Sequence, residues 1–244
     1  MNTGIIIQAR TSSTRLPKKI ILEIEKNTTF LDIQLKRVSV LKDRMPIILA
    51  TSNLEVDDVL EKYSKKHGIK FFRGSEQNVL NRFIKCAEVN NLNSIIRICS
   101  DNPFIDVESI LDLCTNYKGE DYLSYKINQV PSILTHYGFF AEIVSLSALK
   151  KINQEESSNC IEHVTNCIYK NPDRFNVQFI SKVIINKNIR CTLDTKGDFD
   201  NLCKLYFGTL KKNPERGYSD IIKYIENNPS ILKSMKKIIK ENTK

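Results

Sequence analysis

The chain has no tryptophan, three methionines, eight glycines and seven prolines in 244 residues. It shows no internal repeat and no low-complexity segment, which excludes fibrous and linker-like architectures. No apolar run approaches the roughly 20 residues of a membrane span, so no membrane partner is expected. The first residues pass directly into an apolar strand, without the pattern of a signal peptide. The seven cysteines include no C-x-x-C and no spacing that matches a zinc site. An odd, scattered set in a chain without a leader predicts reduced thiols and a cytoplasmic location. The two common phosphate signatures, G-x-x-x-x-G-K-[ST] and G-x-G-x-x-G, are absent too.

What is present is an ordinary globular balance, 41% hydrophobic and 27% charged, with a net charge of +9. The length admits one large α/β domain, with or without a small appendage. The charge suits an anionic partner: nucleic acid, acidic lipid or a small anion. Much of the excess lies in the tail, at Lys233, Lys236, Lys237, Lys240 and Lys244. That cluster lacks the aromatic interleaving of a single-strand binder and reads as a solvated helix face. No nucleic-acid partner is expected from it.

Strands are predicted at Ile5 to Ala9, Pro46 to Thr51, Ile69 to Phe72 and Ser94 to Cys99. Helices are predicted between them. Thr28 or Thr29 caps the first, which runs to about Lys42. The second ends at His67 before Gly68, the third spans Gln77 to Asn91, and Asp106 caps a fourth through Tyr117. Such alternation implies a mostly parallel sheet with helices on both faces, a Rossmann-like α/β fold. After Gly119 the alternation weakens. Strands are expected at Tyr122 to Lys126, Thr135 to Val144, Phe175 to Ile185 and Ile189 to Leu193. A helix is expected from Ser157 or Ser158 to Tyr169. Three more follow near 196–212, 217–226 and 229–242. Residues 120–185 are read as an arm or lid inserted in a single domain spanning 1–244.

The chemistry is concentrated at Gly4 to Lys19, GIIIQARTSSTRLPKK. Four cations and four hydroxyls follow an apolar strand, at the edge where open α/β sheets bind ligands. Arginine and lysine there suit a polyphosphate, and a solvated basic loop is the plainer alternative. Two further apolar strands end in aspartate, at RICSDNPFID (Arg97 to Asp106) and RCTLDTKGDF (Arg190 to Phe199). A carboxylate in that place suits a hard cation, or serves as a turn and capping residue.

QAR-x-x-S-T-R-L-P-x-K resembles the first motif of the cytidylyltransferases that make CMP-activated acidic sugars. Within them it is most similar to the branch named after a spore-coat polysaccharide biosynthesis protein. The strand ending in Asp101, the L-D-T-x-x-D-F around Asp194, the ATSN and RGSEQNVLNR segments, and Glu162-His163-Val164 resemble the family's later motifs. The resemblance implies the nucleotide-diphospho-sugar transferase fold, a transfer from CTP to an acidic sugar, and Mg2+ on Asp101 and Asp194. It implies Arg10, Arg15 and Lys19 as catalytic cations beside those two acids. Nucleotide contacts are implied for Gln8, Ala9, Arg10, Ser13, Thr14, Arg15, Lys19, Thr51, Arg73, Ser75, Asn78, Arg82 and Ser100. Acceptor contacts are implied for Gly138, Glu142 and His163.

The chain departs from the family in several places. Relatives usually have glycine at the positions of Ser12 and Lys18, and often acids at those of Asn78 and Asn81. Phe140 stands where relatives carry an acid. Whether Lys18 or Lys19 meets phosphate is left open. An acceptor carboxylate needs a further cation, for which Arg190 and His163 are the candidates. The apolar residues of 120–185, among them Leu123, Ile127, Val130, Ile133, Leu134, Phe139 and Phe140, suggest a homodimer interface. The rival readings are another NTP or a phosphorylated acceptor, and a basic nucleic-acid-binding protein.

Overall fold

The computed structural model describes residues 2–154 and 158–242. The strands in chain order are β1 (Thr3–Gln8), β2 (Glu23–Glu25), β3 (Thr28–Thr29), β4 (Ile47–Ser52) and β5 (Lys70–Gly74), then β6 (Ser94–Cys99), β7 (Tyr122–Ile127), β8 (Val130–Pro131), β9 (Glu142–Ser145) and β10 (Val177–Lys182). The main sheet runs β10-β7-β9-β6-β1-β4-β5, with β8 on β7, and β2-β3 form a separate ribbon. β1 lies at the centre because Ile5, Ile6 and Ile7 are all fully buried, as an uninterrupted apolar strand must be between two covered faces. β1 pairs in parallel with β4 and β6, and β4 with β5. The expected parallel core is therefore present.

The helices are α1 (Phe30–Val38), α2 (Glu61–His67), α3 (Val79–Val89), α4 (Val107–Asn116), α5 (Leu146–Asn153), α6 (Ser158–Glu162), α7 (Asn166–Tyr169), α8 (Lys196–Leu205), α9 (Tyr218–Glu226) and α10 (Pro229–Asn242). Ile5 and Ile7 join the core on the face of α1, α4, α8, α9 and α10. Ile6 joins a second core under α3 and α5. The local signals for helix ends are borne out. Thr29 and Asp32 form a reciprocal capping box on α1, and Asp106 caps α4. Gly68 closes α2 at φ +63°, a left-handed value that costs glycine nothing.

The later chain differs from expectation. Residues 120–185 do not stand apart as an arm. Their strands extend the main sheet, with β9 antiparallel between β6 and β7, and β10 parallel to β7 at the edge. Only β9 forms within the strand expected at 135–144. Ile189 to Leu193 is not a strand. Cys191 and Leu193 donate their N–H groups to the carbonyls of His136 and Asp101, so this segment is fastened at single points. The helix expected from Ser157 or Ser158 to Tyr169 is broken into α6 and α7, because Val164 and Thr165 between them are drawn into the interior. Ser157 lies outside the described residues. The cysteines are not all reduced: Cys160 and Cys167 form a disulfide across this break.

The α1 cap carries a pH signature. Burial opposes the Asp32 charge, but hydrogen bonds from His67, Lys66 and Thr29 outweigh it and hold the carboxyl at about 2. Its folded value lies below the unfolded one near 3.9. This stabilisation is therefore complete above pH 5 and is lost as pH falls toward 2. Asp32→Asn should cost about 1–2 kcal/mol at pH 7 and progressively less below pH 4, measured by urea unfolding. An equal cost at pH 7 and pH 3 would contradict this.

Candidate active site

The loop after β1 is anchored from below. Ala9 N–H donates to the Ala50 carbonyl (3.0 Å), keeping the chain beside β4. Thr11 is buried, and both its N–H and its hydroxyl donate to Asp57 Oδ1, each at 2.7 Å. The Ser52 hydroxyl donates to Asp57 Oδ2 (2.5 Å). Burial works against the Asp57 charge, yet these donors bring its pKa below the usual carboxylate range. Lys18 N–H then closes the loop on the Thr11 carbonyl (3.0 Å). Lys18 has φ +56°, the left-handed region that favours glycine. Glycine, which the family resemblance implies at this position, would adopt that conformation without strain. Lys18 itself is exposed, as are Arg10, Thr14 and Arg15, while Ser13 is half-buried.

Lys19 turns inward. Its Nζ lies 2.9 Å from Asp194 Oδ1 and 3.5 Å from Asp101 Oδ2. Arg15 Nη2 lies 3.1 Å from the same Asp194 oxygen. The two aspartates expected to share a cation are therefore brought together, although Asp194 follows no strand. The link is Leu193 N–H to the Asp101 carbonyl (2.8 Å). Burial opposes the charge of Asp194, but Lys19, Arg15 and Arg190 together lower its pKa. Ser100, buried at the end of β6, donates its N–H to the Gln8 carbonyl (3.0 Å) and ties β6 to β1. Cys99 beside it offers no nucleophile, since burial pushes its thiol up to about 11.

Arg190 does not serve as the expected acceptor cation. It is 2% exposed, and Nε and Nη2 grip Asp198 at 2.7 and 3.1 Å. Nη2 also reaches Asp194 (3.1 Å), and Nη1 meets His136 Nδ1 (2.7 Å). Asp198 in turn caps α8 and accepts from the N–H groups of Asp194 and Thr195. Arg190 is thus a clamp that holds Asp194 in place. Burial, and then the neighbouring Arg190 charge, lower the pKa of His136, which keeps its ring neutral.

The nucleotide-side residues divide. Thr51 is buried in β4. Arg73 turns away to the Ser52 and Leu54 carbonyls and to Asp58. The Ser75 hydroxyl accepts from Asn78 N–H, and Asn78 caps α3. Arg82 differs from these. It is buried, Nη1 donates to the Ser75 carbonyl (3.2 Å), and Nε and Nη2 have no partner among the described residues. Burial above all lowers its pKa to about 10. Buried donors left without an acceptor are uncommon in folded proteins.

On the expected acceptor side, His163 is exposed and Glu142 is buried. Glu142 takes Arg97, Tyr122 and Thr165 as donors at 2.6, 2.5 and 2.9 Å, so it is a support and not a surface ligand. Gly138 has φ +68°, and a side chain there would strike the Cys191 carbonyl at 2.7 Å. It permits the close pass of 189–193. Sequence reasoning missed Asp57, Arg97, Thr165 and His136. The signal available for Thr165 was its place beside Glu162-His163-Val164. Asp57 had none. Among the described residues, no cluster of three or more His, Cys, Asp or Glu is arranged to hold a metal, so any ion here has the pair of aspartates.

Comparison with known proteins agrees with this geometry. A family profile described as cytidylyltransferase matches residues 4–241. The chain is 36% identical over 235 residues to the spore coat polysaccharide biosynthesis protein SpsF of Bacillus subtilis (strain 168), covering 92% of this chain and 94% of that protein. It is 30% identical over 125 residues to a 3-deoxy-manno-octulosonate cytidylyltransferase of Rickettsia bellii (strain OSU 85-389), half of each chain. A solved cytidylyltransferase from Leptospira borgpetersenii serovar Hardjo-bovis (strain JB197) superposes with a TM-score of 0.84 at 29% identity, over 95% of this chain and 97% of that one. With a cationic loop facing the Asp101 and Asp194 carboxylates and a match along nearly its whole length, the chain belongs to the cytidylyltransferase family of CTP-dependent nucleotidyltransferases.

Proposed function

We propose that the protein transfers CMP from CTP to a hydroxyl of an acidic sugar, releasing pyrophosphate, for a surface polysaccharide or glycan. The observation that carries this reading is the meeting of Lys19 and Arg15 with Asp101 and Asp194 beside the end of β6. Arg10, Arg15 and Lys19 receive the β- and γ-phosphates as charge-assisted donors. Arg82, with two guanidinium nitrogens unpartnered among the described residues, receives the base or ribose end. The acceptor hydroxyl oxygen bonds the α-phosphorus as its proton passes to water, the bond to the bridging oxygen breaks, and pyrophosphate leaves with that bond's electron pair. The protein contributes alignment and charge neutralisation, which suits a site with no free thiolate.

Asp101 and Asp194 fit Mg2+, an ion that uses one or two carboxylates plus substrate phosphates, and the Lys19 ammonium already stands between them as a cation. When bound, that ion would neutralise phosphate oxygens and acidify the attacking hydroxyl. Lys19 can then exchange carboxylate for phosphate without leaving the site. We further propose a homodimer through the β10 edge. Val183 and Ile185 beyond its end are exposed, as are Val130 and Leu134 on the adjoining turn. Asn128 hydrogen-bonds Lys182 and Ile184, which makes these segments one surface.

With CTP, 3-deoxy-manno-octulosonate or a related sugar acid should release pyrophosphate, and ATP, GTP and UTP should not. Release with a sugar 1-phosphate and UTP in their place would contradict the reading. Asp57→Asn should raise the KM for CTP about tenfold or more and leave the KM for the acceptor nearly unchanged, since it loosens the phosphate loop only. Equal effects on both substrates would show that Asp57 acts on the whole fold. Light scattering should give a dimer mass that Val183→Glu with Ile185→Glu reduces to the monomer. A monomer mass for the wild type at micromolar concentration would remove the dimer proposal.

A further inference from the structure

Arg97 sits within β6 and is 8% exposed. Its Nη1 donates to Glu142 Oε1 (2.6 Å) and its Nη2 to Gln8 Oε1 (3.1 Å), while Nε has no partner among the described residues. Burial opposes the guanidinium charge, but the Glu142 carboxylate beside it outweighs that and keeps the group protonated. Glu142 is met by three donors, so its charge does not depend on Arg97 alone. The Nε–Nη2 edge of Arg97 has only an uncharged carboxamide to satisfy it. A buried cation in that position binds an ionised acceptor more strongly than a neutral one.

Arg97 also lines a recess with ≈ 10 Å³ open to the centre of a water molecule, about one water's worth of space. Cys99 and Asn102, which flank Ser100 and Asp101, form one side of it. Ser124 and Ser132 add hydroxyls, and Ile133 and Phe140 add an apolar wall. The recess is therefore next to the reaction centre, and the Arg97 guanidinium that lines it lies 5.8 Å from the ring centre of Phe83 on α3. Gln8 ends β1 immediately before the phosphate loop.

We propose that the Nε–Nη2 edge of Arg97 receives the carboxylate of the acceptor, with Gln8 as its placeholder in the empty site. This rests on the acidic-sugar reading above and supplies the cation that Arg190 and His163 do not. One carboxylate oxygen enters the recess beside Nε. The other replaces Gln8 Oε1 on Nη2, because the recess alone has no room for both. The fork of the guanidinium matches two oxygens in this way, and a lysine cannot. Ile133 and Phe140 favour a deoxygenated or otherwise apolar carbon near the carboxyl group. Glu142 also lines the recess, but Arg97, Tyr122 and Thr165 already donate to its carboxylate, and Phe140 adds no second acid to the wall.

The test pairs sugar acids, including 3-deoxy-manno-octulosonate, with their amides, and follows pyrophosphate release from CTP. The proteins are the wild type, Arg97→Lys, and Arg97→Gln combined with Glu142→Gln, which leaves no buried acid uncompensated. The wild type should prefer an acid over its amide by roughly 10- to 100-fold in kcat/KM. Both variants should lose most of that preference through KM for the acid, with the KM for CTP changed far less. Variants that keep the wild-type preference overturn the assignment of Arg97 and leave the acidic-sugar reading standing. A wild type that treats acid and amide alike, or that releases pyrophosphate with no acid, overturns both.

Discussion

The structure depends on one ammonium placed between two carboxylates. Asp101 follows β6 and Asp194 follows an irregular segment far along the chain, and without a cation the two would repel at the mouth of the sheet. Lys19 bridges them, and Arg15 adds to Asp194. Half-buried charges of this kind contribute little to stability once desolvation is counted. Their retention is better explained by substrate: an array of two acids and two cations can exchange internal partners for phosphate oxygens and a metal ion without a large change of net charge.

Three supports hold this array, and each lies one layer beneath it. Asp57 holds Thr11 and so the base of the phosphate loop. The Arg190–Asp198 pair holds Asp194 and the start of α8. The Arg97–Glu142 pair holds Gln8 on one side and Thr165 on the other. All three are buried, and the two that are ion pairs lose much of their Coulomb gain to desolvation but fix geometry closely. Pre-organisation of that sort is what a transfer reaction with little covalent assistance from the protein requires. The disulfide between Cys160 and Cys167 closes the segment that contains Thr165, which places a covalent constraint on the third support.

The parts of the fold legible in the sequence are those set by local physics. Thr29, Asp106 and Gly68 mark helix ends because capping is decided within a few residues. The Ile5–Ile7 run marks a central strand because only a strand covered on both faces tolerates it. β9 was not legible as the antiparallel strand between β6 and β7, because pairing partners far apart leave no local trace. Ile189 to Leu193 has strand-like composition, but its N–H groups go to the carbonyls of His136 and Asp101, one at a time. At the site, the order of residues around Asp101 and Asp194 was sufficient to foresee their meeting. Arg190 was misjudged because composition shows a free cation where the fold supplies Asp198. Asp57 and Arg97 were invisible for the complementary reason: each is defined by partners that only tertiary structure brings near.

The account stands most directly on the claim that Asp101 and Asp194 form the metal side of a CTP site while Lys19 and Arg15 form its phosphate side. Isothermal titration of CTP into wild type and Asp194→Asn, with and without Mg2+, separates the two. The account predicts that Mg2+ tightens CTP binding to the wild type and has no such effect on Asp194→Asn, whose affinity without the metal equals or exceeds that of the wild type. An equal gain from Mg2+ in both proteins would contradict it.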